Sequence, residues 1–314
     1  MSDKSATPFE RDTVEGSVRN CYSTWSGNYY DDYYRGEGAY PPVHTDIVRD
    51  LLRGSGARTL LDAGCGPASM LRDLTLPGLE RWGFDLTPNM VVEARRIMAE
   101  QGLPGERIWD GSVLDASAFR PRAGAPPEGF DAAICFGVMP HVPEAADVDV
   151  LKNLHGAVRP GGLVAIEARN QLFALFTLNR YSRDFFRNSL IDLPGLAAKA
   201  SDTSERTALE QAVARLDERF RMDLPPVRGG EAGNPGYDEV LSRTHNPLQL
   251  RQQAEALGFV DAEVLFYHFH ALPPMLEGNV PGLFRRASLA LENPRDWRGH
   301  FMASAFVLVG RRRL

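Results

Sequence analysis

At 314 residues, with 43% hydrophobic and 24% charged side chains, the chain is long enough for one large domain with insertions and has an ordinary globular composition. Its 35 lysines and arginines against 41 aspartates and glutamates leave a net charge of −6, which excludes the basic footprint of a nucleic-acid binder. Apolar runs fall short of the roughly 18 residues of a membrane span, the N-terminus carries Asp3, Glu10 and Asp12 in place of a hydrophobic leader, and the scattered Cys21, Cys65 and Cys135 offer neither a disulfide framework nor zinc spacing. These features predict a cytoplasmic protein with no membrane, nucleic-acid or metal partner.

In chain order, residues 1–12 are polar and expected to be poorly ordered. Residues 13–58 read as helices carrying Tyr22, Trp25, Tyr29, Tyr30, Tyr33 and Tyr34, and Pro41-Pro42 interrupts them before a helix from Val43 to Leu52. Residues 1–58 are thus expected to form a helical cap. From 59 to 168 strand and helix patterns alternate, which predicts an α/β core: a doubly wound parallel sheet with helices on both faces. Residues 169–246 contain no clear strand and read as a helical lid, with stretches at Leu172–Phe186, Leu196–Ala200 and Thr203–Phe220 before a Pro/Gly-rich segment from Leu224 to Gly236. The core resumes over 247–314. A helix is expected from Pro247 to Gly258, then two strands, Val260–His268 and Phe301–Val309, as an antiparallel edge hairpin around a loop-rich insertion at 271–299.

The chemistry concentrates at Asp62-Ala-Gly-Cys-Gly-Pro-Ala-Ser-Met70, between the apolar run Thr59-Leu60-Leu61 and the helical pattern Leu71–Leu74. Glycines 64 and 66 allow a sharp turn and close approach to a ligand, and the N–H groups of a following helix favour an anionic or carboxylate-bearing one. Asp85, at the end of Arg81-Trp-Gly-Phe84, is placed to meet ribose hydroxyls. A dinucleotide site would want a third glycine where Ser69 stands, whereas the carboxylate of Asp62 suits an ammonium group, which S-adenosylmethionine has and a dinucleotide lacks.

Leu61-Asp-Ala-Gly-Cys-Gly-Pro-Ala68 resembles the first motif of class I S-adenosylmethionine-dependent methyltransferases, with Ala68 in place of the usual third glycine. Four further segments resemble that family in order and spacing. They are Gly83-Phe-Asp-Leu-Thr-Pro-Asn-Met-Val91, Trp109-Asp-Gly-Ser-Val-Leu-Asp115 with Ser112 where an acid is usual, Phe130 to Val142 as fourth strand and active-site loop, and Arg159-Pro-Gly-Gly162 before Leu163–Glu167. The resemblance implies a Rossmann-like seven-stranded sheet, S-adenosylmethionine as cofactor and a small-molecule substrate. It further implies Asp62, Ala63, Gly64, Gly66 and the backbone near Phe136 at the methionine end, Asp85 at the ribose, Leu86, Ser112 and Val113 around adenine, with Ser112, Asp110 or a backbone carbonyl as alternatives for the adenine amino group. Tyr22 and Tyr29, seven apart and followed by Tyr30, resemble a tyrosine pair of which one closes over the cofactor in the N-terminal cap, or pack the cap on the core.

Acceptor-side candidates follow from position. His141 follows the fourth strand and can act in acid–base catalysis or anchor its loop. Arg169 and Asn170 end the fifth strand and can bind a carboxylate or carbonyl, with Tyr29 the further catalytic candidate. Asn179, Arg180 and Tyr181, with Tyr30, are candidate substrate anchors set among aromatics, or polar residues of a self-packing lid helix. His245-Asn246-Pro247 reads as a helix start, His268 and His270 as edge-strand residues or a metal pair lacking a third ligand, and Trp297, Arg298 and His300 as a pocket closure or a sheet cap. The expected function is methyl transfer to a small molecule by in-line displacement. Alternatives are aminocarboxypropyl transfer or cyclisation of the methionine chain with release of methylthioadenosine, and a non-catalytic cofactor-binding partner subunit.

Overall fold

The structure, a computed structural model, describes residues 8–23, 43–120, 124–215, 217–224 and 239–314. Two helices open it, α1 (Pro8–Ser23) and α2 (Val43–Ser55), followed by β1 (Thr59–Ala63), α3 (Ser69–Asp73), β2 (Glu80–Asp85), α4 (Pro88–Glu100), β3 (Ile108–Asp110), β4 (Phe130–Cys135), α5 (Asp147–Ala157) and β5 (Val158–Arg169). Then come α6 (Ala174–Thr177), α7 (Arg180–Phe185), α8 (Leu193–Ala198), α9 (Thr203–Ala214), α10 (Pro247–Ala256), β6 (Phe259–Phe269), α11 (Pro281–Ala290), α12 (Gly299–Met302) and β7 (Ala303–Arg312). Helix α1 begins at Pro8, so residues 8–12, expected to lack order, are helical.

The seven strands form one sheet in the order β3-β2-β1-β4-β5-β7-β6. The pairs β1–β2, β2–β3, β1–β4 and β4–β5 are parallel. Strand β7 runs antiparallel to β5: Asn170 N–H donates to the Ser304 carbonyl near one end, and Arg312 reaches the Val158 carbonyl at the other. The last two strands are neighbours, as expected of a hairpin, with α11 and α12 in their connection. Parallel strands covered on both faces need apolar side chains on both. Accordingly Leu60, Leu61, Trp82, Phe84, Ile134 and Val164 are all buried. The chain winds outward from β1 to β3 and returns to β4 on the other side of β1. That reversal leaves a crevice at the carboxyl ends of β1 and β4, the usual ligand position in open α/β sheets. The run expected as a turn into β5 is a bulge inside it: Phe130 pairs with Val158 but Ala132 with Leu163, so residues 159–162 loop out.

The described chain divides into two compact units. One comprises 1–169, 227–265 and 306–314, and the other 170–226 and 266–305. In the second unit the helix expected over Leu172–Phe186 is broken. Leu178 is left-handed, and Asn179 starts α7 with a capping box in which its side chain and that of Ser182 satisfy each other's backbone. The helix expected to reach Phe220 stops at Ala214, and the segment expected to be loop-rich at 271–299 contains α11. His270 turns its Nδ1 onto the His268 carbonyl, and its ring packs against Phe173 and Phe284. No helix among the described residues is long and apolar enough to cross a membrane.

Candidate functional site

The first unit holds a cleft of about 810 Å³, partly open to solvent, built from the segments that follow β1, β2, β3 and β4 and roofed by α1. Its floor begins at the glycine turn. Gly64 and Gly66 are left-handed, with φ of +84° and +52°. A Cβ at Gly64 would lie 2.3 Å from Val138 Cγ2, so the loop after β4 packs directly on the turn, while a Cβ at Gly66 would meet nothing within 4 Å. Ala68 keeps the same left-handed conformation, at φ 61°, without the freedom of glycine.

Asp85 is held by this turn. Its Oδ2 accepts from Gly66 N–H and its Oδ1 from Thr87 N–H, both at 2.8 Å. Burial raises its pKa, and these backbone donors oppose the rise. A carboxylate oxygen can accept more than one bond, so Asp85 retains acceptor capacity toward the cleft it lines. Asp62 and Ala63 are buried at the end of β1 and are not among the lining residues. Burial, then the charge of Asp85, pushes the Asp62 carboxyl up to about 8. Glu167, at the end of β5, accepts from Gly137 N–H at 2.7 Å. The carboxyl ends of β1, β2 and β5 thus carry three acidic groups.

The opposite end of the cleft is apolar, formed by Leu86, Met90, Val113 and Leu114. Helix α1 covers it with Glu15, Val18 and Tyr22, whose spacing places them on one helical face. Ser112 Oγ donates to Glu15 Oε1 at 2.5 Å and accepts from Leu114 N–H at 3.0 Å. Arg19 reaches the Leu86 carbonyl from the same helix. Asp110, the other expected partner of this region, is exposed and does not line the cleft.

Tyr22 Oη lies 2.9 Å from His141 Nε2, and His141 Nδ1 lies 2.7 Å from the Leu241 carbonyl. A carbonyl only accepts, so Nδ1 carries the proton. Burial lowers the His141 pKa, so the ring is neutral near pH 7, and Nε2 accepts from the tyrosine hydroxyl.

Sequence reasoning missed what holds this loop. The segment around Leu241 straps it: Arg243 N–H donates to the Pro140 carbonyl, Ser242 Oγ accepts from Arg169, and His245 N–H donates to the Arg169 carbonyl. Arg243 also grips Asp147 in a bidentate pair, 2.9 Å on each arm, while His245 approaches the same carboxylate at 3.4 Å. Burial would raise the Asp147 pKa, but hydrogen bonds from His245 and Arg243 hold it below the usual range. His245 therefore serves this network, and Asn246 is the cap of α10.

Of the expected cofactor residues, Tyr22, Gly64, Gly66, Asp85, Leu86, Ser112, Val113 and Phe136 line this one cleft, together with the catalytic candidate His141. Arg169 does not line it but is tied to Ser242. Tyr29 and Tyr30 lie outside the described residues. In the second unit, Asn170 has a holding role: its amide donates to the carbonyls of Gly299, His300 and Ala303, and its oxygen accepts from Leu172 N–H. That leaves its side chain no donor for catalysis. Asn179 is occupied as the α7 cap, and Arg180 lies over the ring of the exposed Tyr181 at 5.2 Å.

Residues 61–164 match the family model described as Methyltransferase domain (Methyltransf_12). A ubiquinone biosynthesis O-methyltransferase of Xylella fastidiosa is 34% identical over 142 residues, 45% of this chain and 53% of that protein. Another, of Xanthomonas axonopodis pv. citri, is 30% identical over 141 residues, 45% and 54% of the two chains. The chain thus spans about half the length of the curated relatives it matches. A solved magnesium protoporphyrin IX methyltransferase from Synechocystis, with bound SAH, is 15% identical and covers 95% of this chain and 99% of that one, at a TM-score of 0.48.

Proposed function

We propose that this chain, whose residues 61–164 form a methyltransferase domain, binds S-adenosylmethionine in the cleft and transfers its methyl group to a small molecule. The carrying observation is Asp85, locked by Gly66 and Thr87 N–H groups at the cleft floor with acceptor capacity left toward the cavity. The residues present fit the cofactor. An apolar slot suits a purine and Asp85 suits ribose hydroxyls. The buried Asp62 carboxyl, raised to about 8, is a group whose ionised form an ammonium would stabilise. Two relatives named O-methyltransferases favour a hydroxyl acceptor. The proposal also takes the cytoplasm as the setting, where Cys21, Cys65 and Cys135 remain thiols, as they are here.

S-adenosylmethionine supplies an electrophilic methyl carbon on its sulfonium. The chain supplies alignment and exclusion of water. Gly64 and Gly66 would let backbone approach the methionine end, Leu86 and Val113 would hold the base, and the backbone at Phe136 would serve the ammonium. Neutral His141 takes the proton of a hydroxyl acceptor at Nε2, exchanging its bond from Tyr22 for one from the acceptor. Burial keeps that ring neutral, with the charge of Arg169 adding to the effect, and the Leu241 carbonyl fixes its orientation.

The test is incubation of purified protein with S-adenosylmethionine alone and with a metabolite extract, with identification of the adenosine product by mass spectrometry. S-adenosylhomocysteine formed only with extract is the expected result. Methylthioadenosine formed above the no-enzyme rate without any acceptor would replace this reading with chemistry on the cofactor's own amino-acid chain.

A further inference from the structure

The apolar end of the cleft contains one carboxylate from outside the sheet. Glu15 is carried by α1, 97 residues before Ser112 in the chain, yet it lines the same cavity and accepts the Ser112 hydroxyl at 2.5 Å. Ser112 Oγ gives its single proton to Glu15 and takes Leu114 N–H on a lone pair. The serine therefore has no donor and at most one acceptor position left for a ligand. Its remaining effect is to steer Glu15 against the β3 turn. Asp110, at the end of β3, is exposed and does not line the cleft.

A slot walled by Leu86, Met90, Val113 and Leu114 accepts a flat aromatic base. A carboxylate at its rim accepts from an exocyclic amine and repels a carbonyl oxygen in the same place. We propose that Glu15 is the base-reading residue of the cleft, accepting from the 6-amino group of adenine, with Ser112 as the residue that positions it. This assignment rests on the cofactor reading above. It makes α1 part of the adenine site, so that the helix which closes the cleft through Tyr22 also reports which base lies beneath it.

The test is calorimetric titration of the full chain with S-adenosylhomocysteine and with S-inosylhomocysteine, which carries a carbonyl in place of the amine. A hydrogen bond to a charged group is worth about 1.5–3 kcal/mol, so the adenosyl ligand is expected to bind the wild type about 10- to 100-fold more tightly. Glu15→Ala should bring that ratio close to one by weakening the adenosyl ligand. Glu15→Gln, which presents an N–H as well as an oxygen, should narrow it by improving the inosyl ligand. Equal affinity of the wild type for both ligands overturns the inference without reference to any variant. So does a ratio unchanged in both variants with wild-type circular dichroism. Binding of neither ligand by the wild type overturns the cofactor reading itself, and this inference with it.

Discussion

Half-buried and buried polar side chains occur in the two units, and they do opposite things. In the first, Asp85, Tyr22 and Glu15 each bond to a neighbour on one side and face the cleft on the other. In the second, Asn170 and Asn179 are more deeply buried, at 2% and 6% exposed, and are held internally: the Asn170 amide donates to backbone carbonyls, and the Asn179 oxygen accepts from Tyr181 N–H and the Thr177 hydroxyl. In sequence Asp85 and Asn170 read alike, as polar residues at strand ends. The difference shows that burial beside a strand end identifies a group that must be satisfied. Only acceptor capacity directed at open volume makes it a binding group.

The largest expected effect tests the first half of that contrast. Asp85→Ala removes the group aimed at ribose hydroxyls and the acceptor that locks Gly66. It is expected to weaken S-adenosylhomocysteine binding by about 100-fold or more in calorimetry, from two charge-assisted bonds at about 1.5–3 kcal/mol each. The second half predicts that Asn170→Ala lowers stability by about 2–4 kcal/mol, through carbonyls left without a donor. Chemical denaturation checks this. A large loss of turnover at unchanged stability would instead make Asn170 a reacting-site residue and dissolve the contrast.

Asp62 sharpens it with a sign. Its carboxyl is raised to about 8, above the ordinary value of 3.8, so the folded state binds the proton more tightly than the unfolded one. This contribution to stability is full below the ordinary carboxylate range and is lost as pH rises toward about 8. Ligand-free Asp62→Asn is therefore expected to melt several degrees above the wild type at pH 8 and close to it at pH 4, while binding S-adenosylhomocysteine less well. A variant that melts lower at pH 8 would mean that Asp62 already has a cationic partner. The smallest effect belongs to Ala68, left-handed at φ 61°. Ala68→Gly relieves about 1–2 kcal/mol of backbone strain and restores part of that as unfolded-chain entropy. The net gain, up to about 1 kcal/mol, should appear in denaturation with cofactor affinity unchanged.

The parts legible in sequence are those set by local backbone need. Gly64 is demanded by its φ and by the proximity of Val138, Gly66 is favoured by its φ alone, and Asp85 followed at the end of the next strand. The strap at 241–245 was illegible, because Arg243 meets Asp147 across 96 residues and nothing near either position marks the other. The same distance hid Glu15, whose partner Ser112 was read as a ligand contact in its own right. Two misses were readable. Asn179 and Ser182 have capping-box spacing inside what was taken as one helix, and Pro281 stands at the first turn of α11, where proline is favoured. The bulge in β5 was not, since Arg159-Pro-Gly-Gly162 fits a hairpin-like turn as well as an excursion within a strand.

The amide of Asn170 also bears on how this architecture can be inherited. The second unit is assembled from two stretches, 170–226 and 266–305, which leave the chain nearly a hundred residues apart. Asn170 belongs to the first, and the three carbonyls it holds belong to the second. Deleting or grafting either stretch alone would strand an amide or three carbonyls in an apolar interior. The two insertions therefore constitute one heritable module. A chimaera that exchanges both together between homologous scaffolds should express and fold, where single exchanges should not.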